Sequence, residues 1–172
     1  MSNTQQPYGG LTIVRKLNAS KEAVFNAFAN PEALSQWWGP AGSTVSVVHL
    51  DFCPGGRFHY KMEGDGHTMW GLFVYRTIQR PNVIEFVSSF SDETGVICKS
   101  PFPMDFPLEI LNRFSLEQKG STTTLTLTGH PLNATETQEA TYNSIVPSMK
   151  QGFDGTFNQL AHYLQSQAVA KD

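Results

Sequence analysis

The sequence predicts an α+β fold in which an antiparallel meander sheet packs against one long C-terminal helix. Between residues 43 and 130, apolar residues recur with a period of two, and short turn signals containing glycine or proline separate the runs. Between residues 136 and 168 the period changes to three or four, which is typical of an amphipathic helix. Because consecutive antiparallel strands need only hairpins between them, strands followed by a helix favour α+β.

The composition is that of one folded domain and argues against several kinds of partner. Of the 172 residues, 40% are hydrophobic and 16% are charged, which is too apolar for a disordered chain. The net charge of −3, with no run of Lys or Arg, argues against nucleic acid. No segment has the roughly 20 apolar residues that a spanning helix needs, so we expect no membrane insertion.

Cysteine usage and the N-terminus predict a cytoplasmic protein. Cys53 and Cys98 are far apart and form no CxxC motif. Residues 1–10 lack the charged-then-apolar layout of a signal peptide. We therefore expect reduced thiols, a flexible tail over residues 1–10 and a single domain over residues 11–168.

The N-terminal part should contain one strand and two short helices. Leu11–Leu17 alternates as a half-buried strand does, and Ser20 is suited to cap a first helix. Asn30-Pro31-Glu32 predicts the start of a second helix, because Asn caps, Pro fits the first helical position and Glu meets the positive end of the helix dipole. This helix carries the pair Trp37-Trp38 and should stop at Gly39-Pro40.

The region of period two divides into six predicted strands, at residues 43–52, 57–63, 68–78, 83–90, 108–117 and 122–128. Gly64-Asp65-Gly66 and Lys119-Gly120 are expected to form hairpin turns. Residues 91–106 combine prolines with apolar side chains. We interpret them as a long loop that covers a cavity mouth.

The C-terminal helix, predicted over residues 135–168, has one apolar stripe that should be buried against the sheet. The stripe consists of Val146, Met149, Phe153, Phe157, Leu160 and Leu164. Pro147 should either kink this helix or mark the start of its stable part.

The sequence resembles the START-like helix-grip superfamily (SRPBCC) in this order of elements and in several stretches. Within that superfamily it resembles the homologues of the activator of the heat-shock-protein-90 ATPase. The stretches are NPEALSQWWGP, DFCPGGRFHYKM, the strand with Gly71, TTTLTLT, and Gly152-Phe153, where the family usually has Gly-Trp. The resemblance spans residues 11–165. It implies a helix-grip fold with a deep cavity between the sheet and the C-terminal helix, holding an apolar small molecule. The same fold serves lipid carriers, receptors, cyclases and chaperone partners, so it implies the place of the site rather than its task.

The candidate wall of this cavity comes from the tryptophan pair, the inward faces of the strands and the C-terminal helix. Its residues are Trp37, Trp38, Phe58, Tyr60, Met62, Ile84, Phe86, Phe90, Asn112, Phe114, Leu125, Leu127, Met149, Phe153 and Phe157. Tyr60 and Asn112 are its polar members. Asn112 is either the polar group of a pocket or a satisfied amide in a closed core, and the pattern leaves both interpretations open.

We find no motif for metal binding or covalent catalysis in the sequence. The histidines, His49, His59, His67, His130 and His162, have no spacing typical of metal ligands, and no Ser or Cys lies in a GxSxG turn. Gly55-Gly56 is interpreted as a hairpin turn rather than a phosphate cradle, because no helix follows it. We therefore predict no catalytic residue, no metal and no cofactor.

The function that the residues favour is non-enzymatic binding of a small hydrophobic or amphipathic molecule, because few ionisable groups face the predicted interior. One alternative is a polyketide-cyclase-like or hydrolase-like enzyme using the same cavity, with Tyr60, Tyr142, Asn112, His49 and Asp51 as candidates. Another is a chaperone (heat-shock-protein-90) interaction protein. We expect a monomer or a weak homodimer that pairs through an edge strand at 11–17 or 107–117.

Overall fold

The computed structural model describes residues 10–39 and 42–170, in which strands and helices follow one another in the predicted order. The elements are β1 (Leu11–Leu17), α1 (Lys21–Ala29), α2 (Pro31–Trp37), β2 (Thr44–Leu50), β3 (Arg57–Gly64), β4 (His67–Gln79), β5 (Val83–Ser91), β6 (Ile97–Cys98), β7 (Glu109–Lys119), β8 (Thr122–Leu132) and α3 (Glu136–Ala170). Apart from Gly10, the predicted tail lies outside the described residues.

The sheet confirms the predicted α+β fold. Its strands lie in the order β1-β8-β7-β5-β4-β3-β2 and pair antiparallel, and the two-residue strand β6 pairs with the end of β5. β1 returns to pair with β8, so α1 and α2 connect the two edge strands, β1 and β2. The prediction that residues 107–117 form an edge was wrong, because β7 lies between β5 and β8.

The two short helices begin where their capping residues predict. The Ser20 hydroxyl accepts a hydrogen bond from the Ala23 backbone N–H at 3.1 Å. The Asn30 side-chain oxygen accepts from the N–H groups of Glu32 and Ala33, at 2.8 and 3.1 Å. These bonds satisfy amides that have no partner within the first helical turn.

The β3–β4 hairpin turns through two residues in the left-handed region. Asp65 has φ of 51° and Gly66 has φ of 76°. Gly64 pairs with His67 on either side of them. A two-residue turn with positive φ at both positions suits the twist of the flanking strands, and Asp-Gly is among its preferred sequences.

Residues 91–106 are only partly the loop that was predicted, because β6 lies within them. Phe90 pairs with Cys98 and Ser91 with Ile97. The Asp92 carboxylate closes this small hairpin by accepting hydrogen bonds from the backbone N–H groups of Thr94 and Val96. Two paired residues are too few to show an alternating pattern, which is why the sequence did not predict this strand.

Helix α3 is continuous from Glu136 to Ala170, so Pro147 does not mark its start. The stripe is buried at Phe157, Leu160 and Leu164 but only half-buried at its N-terminal members Val146, Met149 and Phe153. Polar bonds hold the buried half in place. Arg15 on β1 donates to the Asn158 side chain at 2.6 Å, and the Gln159 amide donates to the Gly39 carbonyl at 2.6 Å.

Candidate functional site

A cavity of about 190 Å³, here called the main chamber, lies between the sheet and the N-terminal half of α3. Six of the predicted wall residues line it: Tyr60, Met62, Phe90, Asn112, Met149 and Phe153. They come from β3, β5, β7 and α3, so the chamber lies where the sheet and the helix face each other.

A second cavity of about 190 Å³, here called the end chamber, adjoins the main one. Trp38, Gly39, Gly152 and Thr156 line the end chamber alone. Both chambers share the side chains of Tyr60, Met62, Met149 and Phe153, which therefore form a partition between them. Of the predicted tryptophan pair, only Trp38 reaches a chamber.

The other eight predicted wall residues lie in the packed core and line neither chamber. They are Trp37, Phe58, Ile84, Phe86, Phe114, Leu125, Leu127 and Phe157. Rings from α1 and α2 fill the space beside them: the Phe28 ring lies 4.7 Å from that of Phe114 and 4.9 Å from that of Trp37. The inward face of the sheet is thus filled at one end and hollow at the other.

Several lining residues were not predicted. Ser88, Phe106 and Ile110 line the main chamber, as does Leu11 from β1, and Tyr142, which was predicted only as a candidate for catalysis in the cavity, lines it too. Ser88 could have been predicted from the sequence, because it is the one polar residue in the inward-facing row of β5, between Phe86 and Phe90. The others belong to segments far apart in the chain, which only the fold brings together.

A polar cluster of Asn112, Ser88 and Tyr142 lies in one wall of the main chamber. The Asn112 amide nitrogen donates to the Ser88 hydroxyl at 2.8 Å and to the Ile110 carbonyl at 3.3 Å. A Cβ placed on Gly129 would lie 2.9 Å from the Asn112 side-chain oxygen and 3.1 Å from the Tyr142 hydroxyl. The two oxygens therefore flank the bare backbone of Gly129.

Each of the two interpretations of Asn112 that the sequence left open applies to one end of its amide group. Its nitrogen is satisfied by protein atoms, whereas its oxygen accepts no hydrogen bond from any described residue and lies in the lining of the chamber. Burial raises the pKa of Tyr142 well above its usual value. Tyr142 is therefore protonated at neutral pH and can donate a hydrogen bond.

Tyr60 and Trp38 meet at the partition. Burial raises the pKa of the Tyr60 hydroxyl, and the nearby Trp38 N–H opposes part of that rise. The two groups do not reach hydrogen-bond geometry, so the indole nitrogen of Trp38 is buried without a partner among the described residues. The Trp38 ring packs edge-on against Phe73 at 5.3 Å and lies 6.2 Å from Phe153.

Neither chamber is lined by a carboxylate, amine, guanidinium or imidazole among the described residues. His49 and Asp51, two of the candidates for catalysis, are exposed, and the Asp51 carboxylate accepts a hydrogen bond from the Cys53 thiol at 3.4 Å. That bond raises the pKa of Cys53, so the thiol is not activated. In the described part of the chain, no three His, Cys, Asp or Glu side chains are placed to hold a metal.

The segment before β7 covers one side of the main chamber. The Phe106 ring lies 6.2 Å from Phe90 and 6.1 Å from Tyr142, and Phe102 lies 6.1 Å from Phe90. Phe102 and Met104 remain largely exposed. Of Phe102, Met104 and Phe106, it is Phe106 that lines the main chamber.

An antiparallel sheet packed on one long C-terminal helix, with two short helices after the first strand, defines the helix-grip class of proteins. The sequence matches the family described as Activator of Hsp90 ATPase homolog 1-like protein over residues 18–165, and the chain belongs to this family. No curated protein matches the sequence. Among residues 10–39 and 42–170, no helix is long and apolar enough to cross a membrane.

Solved structures agree with this assignment of the fold. Protein Ms6760 from Mycobacterium smegmatis is 24% identical, with a TM-score of 0.74 and 92% of each chain covered. A protein from Arthrobacter aurescens is 25% identical, with a TM-score of 0.74, covering 90% of this chain and 85% of that one. DynU16, from a dynemicin biosynthetic locus, is 18% identical with a TM-score of 0.64, covering 92% of this chain and 48% of that one.

Proposed function

We propose that this protein binds a small hydrophobic or amphipathic molecule in the main chamber, without covalent chemistry. The observation that carries the proposal is an apolar cavity with one polar cluster, Asn112, Ser88 and Tyr142, in its wall. Small-molecule sites are mostly apolar and contain a few convergent polar groups that fix the orientation of the ligand.

The chemistry of the lining favours binding over catalysis. General acid–base catalysis needs a group that exchanges a proton near the working pH. The ionisable side chains among the described lining residues are Tyr60 and Tyr142, and burial moves the pKa of both away from neutrality. Both hydroxyls are suited to donate hydrogen bonds to a ligand and not to remove a proton from it.

The size of the main chamber supports a small ligand or one end of a larger ligand. An apolar cavity of about 150 Å³ is large enough to bind benzene in another protein. At about 190 Å³, the main chamber has room for a group somewhat larger than one aromatic ring.

The test is titration with Nile red, an uncharged dye whose emission reports apolar surroundings. Met149→Trp places a larger ring into the partition, whereas Lys150→Trp places the same ring on the exposed side of the same helix. We expect Met149→Trp to weaken dye binding by about tenfold or more and Lys150→Trp to leave it unchanged.

Thermal melting of both variants shows whether they fold. Equal dye affinity in the two folded variants, or no dye binding by the parent protein, contradicts the proposal. Native mass spectrometry of the parent protein as purified adds an independent test, since a co-purifying apolar molecule should be absent from Met149→Trp.

A further inference from the structure

We infer that the ligand is an uncharged, elongated molecule with two separated hydrogen-bond acceptors, one bound by the Asn112–Tyr142 cluster and the other by Trp38 and Tyr60. This inference rests on the proposed function and specifies the class of molecule that the chambers take.

The first argument is the indole N–H of Trp38. It is buried, and among the described residues it is the only such side-chain nitrogen or oxygen without a hydrogen-bond partner. A buried donor without an acceptor destabilises the folded protein, so an orphan of this kind calls for an explanation. Trp38 lines the end chamber, so a small shift of its ring would bring the N–H to an acceptor on a ligand.

The second argument is that another donor converges on the same place. The Trp38 N–H lies near enough to the Tyr60 hydroxyl oxygen to lower the pKa of that hydroxyl, and no hydrogen bond from the hydroxyl to a described residue is found. Tyr60 belongs to the partition, so its side chain lines both chambers. One carbonyl or ether oxygen placed at the partition can accept from both groups.

The third argument is the polar cluster across the main chamber. The Tyr142 hydroxyl has no acceptor among the described residues, and it lies beside the unpaired oxygen of Asn112. An acceptor on the ligand can bind Tyr142, and a hydroxyl on the ligand can also donate to Asn112. The side chains of Met149 and Phe153 line both chambers, so the part of the ligand that lies against them is apolar.

The ligand is uncharged because the chambers offer no compensating charge. Tyrosine is the one ionisable residue type among the described lining residues, and it is neutral here. A carboxylate or ammonium group would lose its hydration on entry and gain no ion pair, which disfavours binding strongly.

The ligand is elongated because the two chambers together reach the lower end of the roughly 300–1,000 Å³ typical of small-molecule sites, whereas either alone falls short. Two of the four side chains in the partition, Met62 and Met149, are methionines. Their unbranched chains change rotamer easily, so a ligand can pass between the chambers by displacing them.

The test uses dimethyl esters of straight-chain dicarboxylic acids, which are uncharged and have an acceptor at each end, in a series of increasing length. Short methyl esters of alkanoic acids, which have one acceptor, serve as the comparison. By isothermal titration calorimetry, we expect diester affinity to rise with length until both chambers are filled. Trp38→Phe, which removes the N–H and keeps an aromatic ring, should weaken the long diester by about five- to tenfold and leave the short ester unchanged.

Tyr60→Phe should also weaken binding of the long diester. If Trp38→Phe does not fold, Tyr60→Phe provides the test in its place. Tyr75→Phe removes a hydroxyl from the packed core, away from both chambers, and should not change diester binding. If Trp38→Phe and Tyr60→Phe both fold and bind the long diester with full affinity, the inference is overturned. The proposed function still stands in that case, provided that the short esters bind.

Free dicarboxylates that bind as tightly as their diesters overturn the assignment of an uncharged ligand. Absence of binding for every ester and for Nile red overturns the proposed function, and this inference falls with it.

Discussion

The ring of Tyr60 lies across the backbone of Gly71, its partner on the neighbouring strand, in the space that a Cβ on Gly71 would need. Glycine is otherwise unfavourable inside a strand, because it has no side chain to pack. Here its missing side chain allows Tyr60 to lie flat on the sheet and to form a wall of both chambers. Gly71 is thus a determinant of the cavity although it contributes no side chain to it.

Gly71→Ala should destabilise the protein by roughly 1–3 kcal/mol, because the new methyl group forces the Tyr60 ring towards the chambers. Dye binding should weaken for the same reason. Gly152→Ala is the matched control. Apart from its chain neighbours and the backbone of its own helix, no atom lies within 4 Å of its added Cβ, and a helical Gly→Ala change should raise stability by about 0.5–1 kcal/mol. Urea unfolding measures the change in the free energy of unfolding for each variant. If both variants were stabilised, or both destabilised, this explanation would be contradicted.

Asn112→Leu should change the free energy of unfolding by no more than about 1 kcal/mol while weakening dye binding. The leucine fills part of the chamber, but it removes the hydrogen bond to Ser88. Adding Ser88→Ala should lower the free energy of unfolding less in Asn112→Leu than in the parent protein, because the serine has then already lost its hydrogen-bond donor. Thermal melting and dye titration of the four proteins test this, and strictly additive effects would argue against the coupling.

Phe153→Ala and Phe157→Ala should differ although the two rings stack at 5.6 Å on the same helix. Phe157 is fully buried in the core, so its truncation should cost about 3–5 kcal/mol. Phe153 borders both chambers and already lacks neighbours on those sides, so its truncation should cost clearly less. Urea unfolding provides the comparison. A cost for Phe153→Ala equal to that for Phe157→Ala would show that the chambers are closed in solution.

Stability should fall at alkaline pH because of the buried tyrosines. Burial raises the pKa of Tyr60, Tyr75 and Tyr142 in the folded state. The unfolded chain therefore loses these protons first, near the ordinary tyrosine pKa of about 10, and stability decreases as pH rises above that value. We expect phenolate absorbance to rise together with the loss of circular dichroism, and Tyr142→Phe to shift this transition to higher pH. Ionisation of all tyrosines in the folded state would contradict the prediction.

Backbone amides in the segment before β7 should exchange with solvent faster than those of β8. The N–H of Met104 donates to the Phe102 carbonyl and that of Phe106 to the Met104 carbonyl, so these bonds are local to the segment. Those of β8 belong to ladders with strands on both sides. Hydrogen exchange followed by mass spectrometry separates the two regions, and protection in residues 101–106 equal to that in residues 125–128 would show that the cover is rigid.

Most elements of the fold could be predicted because their causes are local. Ser20 and Asn30 cap helices by bonding to amides within three residues, and Asp65-Gly66 turns a hairpin through its own backbone angles. The alternation in β8 and the three-four spacing in α3 reflect which side of each element faces the core. β6 escaped prediction because its pairing depends on the end of β5 and not on its own two residues.

The candidate site shows what the sequence by itself determined. Periodicity identified the inward-facing rows of β3, β5, β7 and β8, so Tyr60, Phe90 and Asn112 were predicted from the sequence, whereas β4 is apolar on both faces and its inward row could not be assigned. Phe58, Phe86 and Phe114 share those rows and were predicted equally, yet they lie in the packed core. A period of two reports the face of the sheet and contains no information about position along the strand.

Only the tertiary structure decided where the packed core ends and the cavity begins. The rings of Phe28 and Trp37, on α1 and α2, fill the space over one end of the sheet. Among the described residues, no second pair of helices covers the other end, where Ser88 and Gly71 lie. Tyr142 and Leu11 join the wall there because β1 pairs with β8 and α3 crosses back over the sheet. A chamber is a gap between segments distant in the chain, and no local interaction specifies it.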